Sequence, residues 1–384
     1  MKVLQDQPMK LFKAVFQVYL IFTLLAVVIE NAAASRLPEE PDQTIKIGLL
    51  IPDNKSIAAR QGAELAIRKA NEKGGLNGCP FQIVVRSMEG PWGTGSKEAV
   101  SMIFEEKVWA ILGSHDGRNA HLVEQACTKA GVVFVSAWAS DPTLSQAFVP
   151  WFFNCVPTDL QQAAALIEEI YNKRKFNKVA TVSDNDYDSK QALDNFLKRT
   201  RLAEKTEPVQ FFFENYSNNF NALPDQINKA DINCIVLFCR PVVSLKIIQA
   251  LQQRKMNQPV FGPLYLLNEN ELSGRELQNY DYALLIPTGN WSETKSTAFR
   301  QEFMDTYGKS PGMVAAYAFD GMSLLIEALR KAGSPDREKI QEALSEIYYE
   351  GVTGLIGFDD KGNRFGIYDL NYIKNGVPVT IDRD

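Results

Sequence analysis

Short apolar segments alternate with amphipathic ones from residue 45 to residue 262, and few folds accept that order. Ile45-Lys-Ile-Gly-Leu-Leu-Ile-Pro52 reads as a buried strand, and residues 56–73 read as a helix stopped by Gly74-Gly75. A strand over 81–85, a helix over 97–106, a strand over 109–112, a helix over 119–130 and a strand over 132–135 follow. Residues 151–159 form an aromatic strand that leaves this series. A second series has helices over 160–173, 191–203, 220–229 and 242–254, each leading to a strand, over 178–183, 209–213, 234–238 and 259–262. Such alternation predicts parallel sheets covered by helices, with right-handed crossovers. A strand over 282–287 precedes helices over 296–307, 314–331 and 337–346. The end is β-rich, with Asn375-Gly376 as a hairpin turn. At 384 residues the chain exceeds what one core usually holds, so two lobes are expected.

Two successive strands end in polar, small-residue loops, Gly113-Ser-His-Asp-Gly117 and Ser136-Ala-Trp-Ala-Ser140. In an open α/β sheet, ligands bind at the loops that follow the carboxyl ends of strands. Helix N-termini there offer unpaired N–H groups to an anion. These two loops are expected to form one wall of a small-molecule cleft.

Lys2, Lys10 and Lys13 precede an apolar run over 14–29, and Ala32-Ala-Ala-Ser35 fits cleavage after Ala34. Residues 1–34 therefore read as a signal peptide, and the protein as exported to the periplasm or beyond the cell. The alternative is an uncleaved anchor, for which the run is short of the ~20 residues a span needs. Position 35 is Ser, so no lipid-attachment Cys follows this site. The net charge of −5 and the lack of a long basic run argue against nucleic acid as a partner. Five cysteines carry no zinc spacing and read mostly as small buried hydrophobes; Cys234 and Cys239 point to opposite faces of one strand. Gly93-Thr-Gly-Ser-Lys97 has its Lys in the wrong place for a phosphate loop, and no Gly-x-Gly-x-x-Gly follows the first strand. No cofactor or metal is expected. His115-Asp116 has no nucleophile motif beside it, so an enzyme is not expected either.

An ordered set of short motifs runs along the chain: Ile45-Lys-Ile-Gly48, Gly62-Ala63, Asn71-Glu-Lys-Gly-Gly-Leu-Asn-Gly78, Gly113, and Ala139-Ser-Asp-Pro-Thr-Leu144. Val156-Pro-Thr-Asp159, Phe261-Gly-Pro263, Ala316-Tyr-Ala-Phe-Asp-Gly321 and GLIGFDDKG from Gly354 to Gly362 complete it. In these the chain resembles the leucine/isoleucine/valine-binding protein family, type I periplasmic binding proteins that deliver solutes to ABC transporters. The resemblance implies two Rossmann-like α/β lobes, each on a parallel sheet, joined by a three-crossing hinge in the Venus-flytrap manner. It places the crossings near Val156, Pro287 and residues 359–362, with an N-terminal lobe over 44–156 plus 288–359. The C-terminal lobe then spans 157–287 plus 360–384. It also implies a small-molecule ligand held between closing lobes, a membrane permease as partner, and a monomer.

In that family a hydroxyl and backbone N–H groups of the first lobe grip a ligand carboxylate. By this correspondence Ser140 supplies the hydroxyl, Gly117 an N–H only, and Trp138 a backbone contact. Ser140 could also cap the helix before Pro142, and the two roles can coexist; Trp138 could wall the pocket or pack against the lobe. Asp159 fits the hinge position at the cleft mouth or an N-cap. Across the cleft either Tyr187 or Asp188 occupies a position where an aromatic is common; a solvated acidic loop is the alternative. Gly262-Pro263-Leu264 has Leu264 where amino-acid binders carry a carboxylate for the ammonium. Arg240 replaces a cleft Tyr, and Arg118 is either a second anion fork or a surface residue. Together these departures predict a ligand with a carboxylate and little need for ammonium recognition. A sensory ligand module for a membrane receptor and, third, an exported α/β enzyme using His115 are the rival readings.

Overall fold

The computed structural model describes residues 44–146, 149–214, 220–272, 276, 280, 284–288, 293–366, 370–374 and 377–380. The expected signal peptide over 1–34 and the expected Asn375-Gly376 turn lie outside these residues. No helix among the described residues is long and apolar enough to cross a membrane.

The first sheet has five parallel strands: β1 (Ile45–Ile51), β2 (Phe81–Ser87), β3 (Ala110–Gly113), β4 (Val133–Ser136) and β5 (Phe152–Asn154). Their order is β2-β1-β3-β4-β5, so the chain reverses direction across the sheet at β1. β3 and β4 are buried along their whole length, as expected for strands covered on both faces. Helices α1 (Ile57–Glu72), α2 (Thr94–Phe104) and α3 (Gly117–Ala130) link them. Asp116 caps α3 by accepting from Asn119 N, and Gly131 ends it at φ 59°, a left-handed conformation that favours glycine. Three later helices return to this lobe: α8 (Glu293–Tyr307), α9 (Met313–Ala332) and α10 (Arg337–Ser345). α9 lies along α1 so closely that a Cβ on Gly62 would fall 2.1 Å from the Ala315 carbonyl oxygen.

The second lobe begins with α4 (Asp159–Ile167), which continues into a π-helical turn over Glu168–Lys173. Thr158 caps α4 in a capping box with Gln161, so Asp159 is the first helical residue and not the cap. β6 (Val179–Ser183), α5 (Tyr187–Leu202), β7 (Val209–Phe212), α6 (Leu223–Lys229), β8 (Cys234–Phe238), α7 (Pro241–Gln253) and β9 (Val260–Phe261) follow. β10 (Leu284–Pro287), β13 (Leu370–Lys374) and β14 (Val377–Thr380) complete a seven-stranded sheet in the order β14-β13-β10-β9-β8-β6-β7. The strands from β10 to β7 are parallel, whereas β13 and β14 are antiparallel. The second sheet is thus mixed, because its last strands arrive as a hairpin with no crossover helix. Its strand order reverses at β6, which has β7 on one side and β8 on the other.

Near the passage between the lobes, β11 (Tyr349–Gly351) and β12 (Gly354–Ile356) form a short antiparallel pair. β11 carries no apolar run and was not expected. Buried Asp320 on α9 accepts from Val352 N at 2.8 Å and from Thr353 N and Oγ1 at 2.7 Å each. Buried Arg364 donates to Cys155 O and Thr353 Oγ1 at 3.0 Å, to Thr353 O at 2.8 Å and to Leu355 O at 3.2 Å. Asn154 N donates to Gly362 O at 2.8 Å, tying β5 to the same loop.

All five cysteines are free; Cys127, Cys155, Cys234 and Cys239 are buried and Cys79 is half-buried. Burial pushes the Cys155 and Cys234 thiols up to about 12, and it raises Cys127 and Cys239 as well. Thiolate is the reactive form. At neutral pH a maleimide is therefore expected to label the folded protein at Cys79 alone, as peptide mass spectrometry would show. Fast labelling at Cys155 would contradict this.

Candidate ligand-binding cleft

A cleft of about 450 Å³ lies where the strand order reverses in both sheets. Pro52 follows β1, and Ser114 and Asp116 follow β3. Opposite them, Asp186 and Asp188 follow β6, and Arg240 follows β8. Two reversal points thus face one another, each at the carboxyl ends of its strands, the place where neighbouring loops diverge and leave a crevice.

The first wall is the β3–α3 loop with the loop after β4. Ser114 and His115 are buried there, and neither Ser114 Oγ nor His115 Nε2 has a partner among the described residues. The His115 ring stacks on Phe134 at 5.9 Å, and Nδ1 lies 3.2 Å from Asp116 O. Burial lowers its pKa, which favours the neutral ring. Trp138 lines the same wall at 8% exposure. Asp141 is the hub behind it: its carboxylate meets His121 Nε2 at 3.1 Å, Thr143 Oγ1 at 2.7 Å and the Tyr187 hydroxyl at 2.9 Å. Burial pushes this carboxyl up, but these hydrogen bonds outweigh it and bring it down to about 2.

The second wall carries more carboxylates than cations. Asp186 caps α5 through Asp188 N, and Arg240 N donates to Asp184 Oδ2 at 2.7 Å. The Arg240 guanidinium pairs with Glu271 at 3.3 Å. Burial raises the carboxyls of Asp186, Asp188 and Glu271, reaching about 8 for Asp188, where Asp116 adds like-charge repulsion and Gly117 N–H opposes it. Several contacts join the walls. Gly117 N donates to Asp188 Oδ1 at 3.0 Å, and the Tyr187 hydroxyl reaches Asp141. Arg118 sits 5.3 Å from the Tyr187 ring centroid. Ala58 N donates to Asn270 Oδ1 at 3.2 Å, and Glu269 accepts from Val314 N and Ala315 N at 2.9 and 2.8 Å.

Of the residues singled out from the sequence, Arg118, Trp138, Tyr187, Asp188 and Arg240 line the cleft, and Gly117 touches Asp188 at its edge. Tyr187 and Asp188 both reach it, because they are the first two residues of α5. Ser140 and Asp159 lie behind the lining: Ser140 Oγ donates to Asp159 Oδ1 at 2.7 Å, both buried. The cap before Pro142 is Asp141 and not Ser140. Leu264 faces the core, with its N–H given to Gln162 Oε1 at 2.7 Å. Residues Leu264–Leu267 make one 3-10 turn whose leucines are buried, which leaves Tyr265 to face the cleft. Tyr265, Asp186 and Glu271 were not singled out. All three sit in loops after strand ends, which is the signal that could have found them.

The family described as "Periplasmic binding protein" matches residues 44–370, a span that runs through both lobes. The chain belongs to this family. Among relatives of this periplasmic binding protein is the leucine-, isoleucine-, valine-, threonine- and alanine-binding protein of Pseudomonas aeruginosa, 22% identical over 83% of this chain and 87% of that one. The Streptococcus pneumoniae substrate-binding protein LivJ, solved with isoleucine, has a TM-score of 0.74 at 20% identity, covering 87% of this chain and 97% of its own. A solute-binding protein of R. palustris, solved with benzoate, has a TM-score of 0.73 at 19% identity, covering 88% and 95%. At such identities the structural likeness speaks for the type I two-lobed fold.

Proposed function

We propose that this protein is an exported solute-binding component of an ABC transporter. It takes a small carboxylate-bearing solute, an amino acid or a related compound, between its lobes and hands it to a membrane permease. The lobes close about three crossings, near Val156, Pro287 and residues 359–362, and closure strengthens each polar contact by excluding water. The observation that carries this is the meeting of two strand-order reversals at one polar cleft. Gly117 N–H at the start of α3 and the Arg240 guanidinium are the groups suited to the anionic end. The solutes named for the relatives, branched-chain amino acids and benzoate, all carry a carboxylate.

Calorimetry and thermal shift against L-leucine, L-isoleucine and benzoate test it. A solute at about a hundred times its Kd stabilises the fold by about 2.7 kcal/mol. Arg240→Ala is expected to weaken binding about tenfold, the scale of one charge-assisted hydrogen bond. If no carboxylate of the panel binds, the reading fails.

A further inference from the structure

Two first-lobe donors that the resemblance assigns to a ligand carboxylate are engaged by carboxyl groups of the chain itself. Ser140 Oγ serves Asp159, and Gly117 N–H serves Asp188. The second contact crosses the cleft: Gly117 opens α3 on one lobe, and Asp188 lies in the first turn of α5 on the other. The neighbouring Tyr187–Asp141 hydrogen bond and the Arg118–Tyr187 contact cross at the same place. Elsewhere along the interface the second lobe repeats the device. Glu269 accepts from two N–H groups in the first turn of α9. Each contact puts a carboxyl oxygen on the unpaired N–H groups that open a helix, the groups that would otherwise face an anion.

We propose that Asp188 is an internal stand-in for the ligand carboxylate: it latches the lobes together through Gly117 and must be displaced before an anionic solute takes that position. The proposal rests on the reading that the cleft binds a carboxylate-bearing solute, and it makes Asp188 a determinant of affinity and of selectivity. Apparent affinity falls in proportion to the fraction of molecules in which the position is free. The latch is also sensitive to protons. Asp188 faces Asp116, Asp186, Asp141, Asp159 and the Tyr187 ring, with Arg118 beyond that ring as the nearby cation. Its carboxyl is raised in the joined state, so the contact is strongest below the usual carboxylate range and weakens as pH rises through about 8.

Small-angle scattering of the ligand-free wild type, Asp188→Ala and Asp188→Asn, with thermal melts to confirm folding, tests the latch directly. The Asn side-chain oxygen still accepts from Gly117 N–H, so wild type and Asp188→Asn are expected to be compact at neutral pH. Asp188→Ala is expected to shift to a larger radius of gyration. Raising the pH should open the wild type and leave Asp188→Asn unchanged. In calorimetry Asp188→Ala is expected to bind L-isoleucine or benzoate about tenfold tighter than wild type. A wild-type scattering profile for Asp188→Ala overturns the proposal. So does weaker binding by that variant, which would make Asp188 a direct ligand contact. If no variant binds a carboxylate, the proposed function falls while scattering still decides the latch.

Discussion

Arg364→Met is expected to cost about 3–5 kcal/mol of stability, the penalty for removing one partner from a buried charged network. Arg364 is 2% exposed and donates to three backbone carbonyls, those of Cys155, Thr353 and Leu355, and to Thr353 Oγ1. That hydroxyl donates in turn to Asp320 Oδ2, so guanidinium and carboxylate share one side chain between them. The Arg364 charge also holds the Asp320 carboxyl lower than burial alone would leave it. Methionine keeps much of the length and volume but returns none of the donors. Denaturant titration would measure the loss. Asp320→Asn in the same background should cost less than it does alone, because the two residues act as a unit. Costs that simply add, or a midpoint that stays where it was, would mean that the loop between β12 and β13 does not depend on this network.

Gly62→Ala is expected to destabilise by about 3 kcal/mol, although the same change in an open helix stabilises by about 1 kcal/mol. The difference is steric. The added methyl would meet the Ala315 carbonyl oxygen at 2.1 Å and its carbon at 2.9 Å, and backbone of a packed helix cannot step aside as a side chain can. Gly95→Ala is the control, since its new methyl meets side chains and no backbone, the flexible Met88 sulfur at 2.9 Å being nearest. Near-neutral behaviour at Gly95 with a large loss at Gly62 would show that the α1–α9 contact is set by main-chain approach. Equal small effects would rule that out.

The alternation of apolar and amphipathic segments was enough to place both sheets, because a strand covered on two faces reads as an unbroken apolar run. β11 is not legible in the sequence, because Tyr349 and Glu350 do not make such a run. The loops after β3, β4, β6 and β8 were also legible as cleft walls, and Arg118, Trp138, Tyr187, Asp188 and Arg240 lie there. What failed was finer than the element. Leu264 and Tyr265 are adjacent, and only the 3-10 turn decides which one is buried. Ser140 and Asp159 each suited a ligand, and sequence could not reveal that they satisfy one another. The Gly117–Asp188 contact spans 71 residues and two lobes, so no local pattern records it.

The close seating of α9 on α1 has a consequence for the order in which the protein can be assembled. Its partners are remote: Arg330 Nη2 reaches Ala70 O across 260 residues of sequence. The face of α1 around Gly62, which packs on Ala315, has no cover until α9 has been made, although β1 and β2 can pack on the helix earlier. By contrast β6, β7, β8 and β9 and their helices are contiguous and can pair as they emerge during synthesis. A ribosome-bound chain therefore carries an incompletely covered helix face through most of its synthesis. Such exposed surface is where aggregation and chaperone capture begin.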